Sequence, residues 1–187
     1  MSTYTREDIA FDSRGTSCAA WLYRPCGVEN PPIVLMAHGF AAIRALRLDA
    51  YATRFAEAGY AVLVFDYRGW GDSAGEPRRV LDIGAQQLDW RAAVAYARSI
   101  EDVDKNRVVL WGTSFGAGHA LHLAAEDHDI AAVVAQVPHI SGPASAFSQP
   151  PTLVARLIAA GIRDQLRALL GRQPTASPPP ATRATSP

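Results

Sequence analysis

Two stretches of this chain, Ile33-Val34-Leu35-Met36-Ala37 and Ala61-Val62-Leu63-Val64-Phe65, are apolar at every position. A strand with one wet face alternates in polarity, because successive side chains point to opposite sides. An unbroken run instead suits a strand buried on both faces, as in a parallel sheet covered by helices. Arg107 to Trp111 and Ile130 to Val137 read as two further strands. Helical spacing fills the gaps between them. Leu48, Tyr51 (or Ala52) and Phe55 precede a stop at Gly59, and Val80 to Ile100 places Ile83, Trp90, Val94 and Ala97 roughly on one face. Ser114 to Ala125 is a third helix. The succession predicts an α/β fold: a doubly wound, mostly parallel sheet with helices on both faces.

The two ends of the chain differ from this middle. Ile9 to Phe11 and Cys18 to Tyr23 flank Asp12-Ser13-Arg14-Gly15, which predicts an opening antiparallel hairpin. After Pro138 the strand pattern stops. Val154, Ile158, Ile162, Leu166 and Leu169 make one stripe, and Arg156, Arg163 and Arg167 line another part of the surface. This is an amphipathic helix of about 18 residues. Packing on its own domain is its plain reading, while the basic edge leaves a membrane-surface or partner-binding role open. From Gln173 to Pro187 no aliphatic residue is larger than alanine, so that tail is expected to be disordered. The expected organisation is a core over 1–150, a cap-like or lid-like helix over 151–171 and a Pro-rich tail over 172–187.

Charge excludes some classes of partner. Eighteen basic residues balance eighteen acidic ones, which gives no support to nucleic-acid or anionic-membrane binding. No apolar run approaches the roughly 18 residues of a membrane span, and the polar N-terminus lacks a signal peptide's apolar segment. Cys18 and Cys26, two thiols without a secretory signal, are expected to be reduced, with cytoplasm as the location.

Chemistry concentrates at Gly112-Thr113-Ser114-Phe115-Gly116, set between a strand and a helix. In this context G-x-S-x-G reads as a nucleophile elbow, in which the serine sits on a sharp strand-to-helix turn and its hydroxyl projects from the sheet's carboxyl edge. Flanking glycines remove the Cβ atoms that would clash there. The plainer reading is an N-cap serine in a Gly-rich turn. A second segment, His38-Gly39-Phe40, follows the first buried strand. An oxyanion hole needs two backbone N–H groups aimed at one point, and Phe115 and Phe40 are the candidates. Gly39 would let the loop turn back towards Ser114. His38 is read as holding the loop by hydrogen bonding rather than as a base. The third segment is Asp66-Tyr67-Arg68-Gly69-Trp70-Gly71-Asp72-Ser73, where Asp66, Arg68 and Asp72 read as loop-shaping residues.

In this order the three segments resemble the α/β-hydrolase superfamily, with a flavour similar to its dienelactone-hydrolase-like and polyketide-transferase-like branch. The resemblance covers roughly residues 5 to 170. It implies a serine hydrolase that cleaves an ester, thioester or small amide through an acyl-enzyme on Ser114. It implies no metal and no organic cofactor, and its partner is a small-molecule acyl substrate. An acyltransferase would use the same residues.

The family's acid and histidine follow the nucleophile, each after a later strand. Here nothing after Ile130 to Val137 resembles a strand, so the chain reads as C-terminally truncated, or as a short homologue that completes its site otherwise; the rival in function is a remnant that binds without turnover. Asp127, His128 and Asp129 precede that strand, at the edge opposite Ser114 and about 20 Å away. Glu126 and Asp164 offer no better position, and His119 and His122 ride up the helix that Ser114 opens. His139, after Val137-Pro138, is at the right edge and is a candidate base or pocket contact. Missing strands would leave a hydrophobic sheet edge uncovered and open to self-association. The expected outcome in light scattering is concentration-dependent association, and a well-behaved monomer would count against it.

Overall fold

The computed structural model describes residues 3–172, and the tail from Gln173 lies outside the described residues. Strands β1 (Tyr4–Ser13) and β2 (Thr16–Pro25) form the expected hairpin. Then come β3 (Pro32–Ala37), α1 (Leu48–Glu57), β4 (Ala61–Phe65), α2 (Ile83–Ser99), β5 (Asp104–Thr113), α3 (Phe115–Glu126) and β6 (Ile130–Gln136). One six-stranded sheet has the order β1-β2-β4-β3-β5-β6. β2 pairs antiparallel with β4, and the pairs β4–β3, β3–β5 and β5–β6 are parallel.

The unbroken apolar runs are explained by two separate cores. Ile33, Leu35 and Ala37 of β3, with Ala61, Leu63 and Phe65 of β4, pack with Trp90, Ala93, Val94 and Ala97 of α2 and Ala120 and Leu123 of α3. The alternate residues Val34, Met36, Val62 and Val64 face the other way, onto Leu48, Ala52 and Ala56 of α1. Each strand thus needs apolar groups at every position.

Chain order puts α1 between β3 and β4, while α2 carries the chain from β4 past β3 to β5. The strand order therefore reverses between β3 and β5. Open α/β sheets bind ligands outside the carboxyl ends of the strands at such a point. His38 and Ser114 directly follow those two ends, with Ala37 paired to Gly112 in the ladder.

Helix α2 begins later than its apolar pattern implies. Asp82 caps it by accepting from the Ala85 amide at 2.9 Å, which leaves Val80 and Leu81 outside. Ile83 is 51% exposed and is not on the buried face, which is made by Gln86, Asp89, Trp90, Ala93, Val94 and Ala97. Asp89 is fully buried because it is paired. Its Oδ1 accepts from Arg68 Nε (2.9 Å) and Nη2 (2.7 Å), and its Oδ2 from the Arg68 amide (2.9 Å). Arg68 Nη2 also donates to Ser13 Oγ at 2.7 Å, so the network ties hairpin, loop and helix together.

At the other end of the sheet β6 is an edge strand, with Val134 exposed. The chain divides into two compact units, Met1–Ile140 and the segment from Ser141 onward. The second unit holds α4 (Gly142–Phe147), a short helix without a periodic signal in the sequence, and α5 (Pro151–Leu169), the expected amphipathic helix. No residue of α5 is buried. Among the described residues no helix is long and apolar enough to cross a membrane.

Removing one partner of a buried ion pair strands the other, at a cost of about 3 kcal/mol. Asp89→Ala is expected to lower the unfolding free energy by that order in urea titration, whereas Asp8→Ala, at an exposed position of β1, is expected to change it little.

Candidate active site

Ser114 lies where β5 hands over to α3, at φ 52° and ψ −114°. A non-glycine residue with such angles is strained by roughly 1–3 kcal/mol and persists only where its surroundings fix it. The ordinary N-cap reading does not hold, since an N-cap residue has extended angles and its side chain accepts a helix amide. Ser114 has neither feature, and its hydroxyl caps nothing.

Close backbone packing fixes the turn. A Cβ on Gly112 would stand 2.3 Å from the Gly116 carbonyl group and 2.5 Å from the Ala117 nitrogen. One on Gly116 would stand 2.6 Å from the His38 oxygen and 2.7 Å from the Ala37 oxygen. Helix α3 therefore meets β5 and the end of β3 backbone to backbone. The Ser114 amide donates to the Gln136 carbonyl at 2.9 Å.

The loop after β3 comes up beside the serine. A Cβ added to Gly39 would be 3.0 Å from Ser114 Cβ and 3.7 Å from its Oγ. Phe40 follows, itself 61% exposed, with its ring 5.9 Å from the Phe115 ring. Phe115 opens α3, so its amide is one of the leading N–H groups without an intrahelical acceptor. Segments 38–40 and 114–116, chosen from sequence, are thus brought together at one sheet edge.

A carboxylate holds that loop from below. Asp66 Oδ1 accepts from the Arg44 amide at 2.7 Å and Oδ2 from the Asp72 amide at 3.2 Å. Arg44 Nη1 lies 3.3 Å from Asp66 Oδ2, its Nη2 donates to Asp72 at 2.8 Å, and its guanidinium stacks over Trp21 at 4.8 Å. Ser73 Oγ donates to the Asp66 carbonyl and accepts from the Ala19 amide. Asp66, Arg68 and Asp72 shape loops, as their sequence context implies. Arg44, buried beside them, has no sequence signature.

His38 is buried, and its Nδ1 contacts the Gly39 carbonyl at 3.0 Å. A carbonyl only accepts, so Nδ1 carries the proton. Burial pushes the His38 pKa down, and Asp66, 3.6 Å from Nε2, partly opposes this. His119 is also buried, with Nε2 2.9 Å from Gln86 Oε1. His122 pairs with Glu126 and His128 is exposed. Glu126 and Asp127 are engaged by Arg91 and Arg98. His139 lies beside the elbow, its ring stacked on Phe115 at 4.5 Å and 14°. Among the described residues no group of His, Cys, Asp and Glu could hold a metal ion. A cleft of about 320 Å³, lined by Arg24, Val28, Asn30, Pro31 and Asp102 among others, lies at the amino ends of the strands, away from Ser114.

A mixed sheet wound on both faces, with a strained serine at its reversal point and a glycine loop beside it, defines an α/β-hydrolase. The chain belongs to the serine aminopeptidase S33 family, whose profile matches residues 29–177. It is 47% identical over 171 residues to the quorum-quenching protein AidA of Acinetobacter baumannii, covering 91% of this chain and 56% of that one. A polyketide transferase of Stachybotrys chlorohalonatus is 35% identical over 175 residues, covering 93% and 57%. Among solved structures, the α/β hydrolase GrgF of a Penicillium species superposes with a TM-score of 0.79 at 28% identity, covering 91% and 57%. The chain thus spans a little over half the length of these relatives.

Burial lowers the His119 pKa to about 4. Below its ordinary value of 6.5 the unfolded chain takes up a proton that the folded chain refuses, so stability falls as pH drops from 6.5 towards 4. The loss is expected to reach about 2 kcal/mol. Urea titrations at pH 7 and pH 4.5 check it: His119→Phe should show a shallower acid dependence than the parent.

Proposed function

We propose that Ser114 is the nucleophile of an acyl hydrolase acting on an ester, thioester or small amide. The observation that carries this reading is the serine's strained, uncapped conformation at the carboxyl edge, with the 38–40 loop packed against it. The hydroxyl oxygen adds to the substrate carbonyl, and its proton passes to a base. The carbonyl oxygen gains the negative charge. The amides of Phe40 and Phe115 donate to that oxyanion, aided by the positive end of α3. Collapse expels the alcohol, thiol or amine and leaves an acyl-enzyme, which water then cleaves.

His38 and Gly39 support the loop rather than the chemistry: the imidazole holds the Gly39 carbonyl, and glycine fits the narrow space beside Ser114. Gly112 and Gly116 make the turn sterically feasible. The two cysteines, Cys18 buried and Cys26 exposed, are unbridged and fit a reducing compartment, which supports a cytoplasmic location.

Acyl transfer is a second reading, favoured by the polyketide transferase among the relatives. It differs only in the acceptor of the acyl group. A fluorophosphonate probe tests what both share. Covalent labelling of the chain is expected, and its loss in Ser114→Ala. A folded parent chain that stays unlabelled would leave a binding module without turnover. Adding an alcohol or thiol acceptor to an activated ester then separates transfer from hydrolysis by the product formed.

A further inference from the structure

Strand β6 does not simply end beside the elbow. At Val137 the backbone turns into the left-handed region, φ 47°, which a β-branched residue rarely occupies. The chain then doubles back over the first turn of α3. The His139 amide donates to the Ser114 carbonyl at 3.0 Å, a carbonyl that also accepts from the Gly118 amide at 3.1 Å. With the Gln136 carbonyl taking the Ser114 N–H, both backbone groups of the serine are held by this one segment.

Two further contacts fit the same strap. The His139 imidazole stacks on Phe115, the residue whose amide stands next to the serine. The His139 carbonyl occupies the space over Gly118, where a Cβ would lie 2.1 Å from its oxygen. Steric demand, hydrogen bonding and ring stacking therefore converge on four consecutive residues, 136–139.

We infer that His139 is a positioning residue, whose flat ring locks the 136–139 strap onto the elbow and thereby fixes the Ser114 backbone and the Phe115 amide. The inference rests on the reading of Ser114 as nucleophile only for its consequence in catalysis; the lock itself is a property of the fold. It also separates the stacking of His139 from any proton transfer. A planar apolar ring serves the lock as well as an imidazole, and a methyl group does not.

Amide hydrogen exchange over residues 114–118 in the whole chain reads the lock without requiring turnover. His139→Ala is expected to speed exchange there by about tenfold, and His139→Phe by less than about threefold. Gly118→Ala, whose added methyl meets only the His139 carbonyl group, should match His139→Ala while exchange in β3 and β4 stays unchanged. Equal exchange in parent and His139→Ala, or equal acceleration in the Ala and Phe variants, overturns the inference. Fluorophosphonate labelling of Ser114 should follow the same order. Loss of labelling in His139→Phe with exchange protection retained also overturns it, because the imidazole would then be acting as a base. The expected exchange pattern in a parent that is never labelled upholds the lock and removes the hydrolase reading instead.

Discussion

The site depends on one steric fact: α3 crosses β5 and the end of β3 with no side chain between the backbones. Side chains normally hold a helix well off a sheet, but here carbonyls of Ala37 and His38 stand where a Cβ on Gly116 would be. That approach leaves no length of chain for a relaxed turn, which is why Ser114 takes angles that cost energy. The cost is borne by the cores on either side of the sheet, where α1 packs on one face and α2 and α3 on the other. Strain at the serine is thus a consequence of global packing rather than of local sequence preference.

Electrostatics does the comparable work for the neighbouring loops. Asp66 is almost fully buried and keeps company with Arg44, which is buried too. Desolvating such a pair gains little net stability, since the Coulombic attraction is largely spent on leaving water. What it supplies is direction. Two amides and a guanidinium converge on one carboxylate, and each belongs to a loop that must stop in one place for the 38–40 segment to lie beside Ser114. Arg68 and Asp89 orient the stretch after β4 in the same way, by an amide and a guanidinium meeting on a buried carboxylate.

Much of this was legible from residues alone. Ile33 to Ala37 and Ala61 to Phe65 announced buried parallel strands because a two-sided core demands apolar residues at every position, and Ser114 was marked by glycines that only a close crossing requires. Other features were not legible. Ile83 belongs to the apolar period of α2 but lies exposed at its first turn, while Asp89 and Gln86 occupy the buried face. Periodicity ranks residues by hydropathy and misses a charge that is neutralised by a partner 21 positions away. Arg44 escaped for the same reason, and the doubling back after β6 escaped because it depends on a left-handed valine, which propensity disfavours. Helix α4, only six residues long, offers too few turns for a periodic signal.

The carboxylate of Asp66 carries one more implication. The Arg44 amide lies in the loop after β3 and the Asp72 amide in the loop after β4, yet both donate to the same carboxylate. Asp66 and Asp72 share the second loop, and the Arg44 amide and guanidinium reach across to both, so the first loop cannot lift away without breaking its bonds to the second. Two loops whose bonding residues stand 28 positions apart in the chain are therefore expected to open as one unit rather than as two.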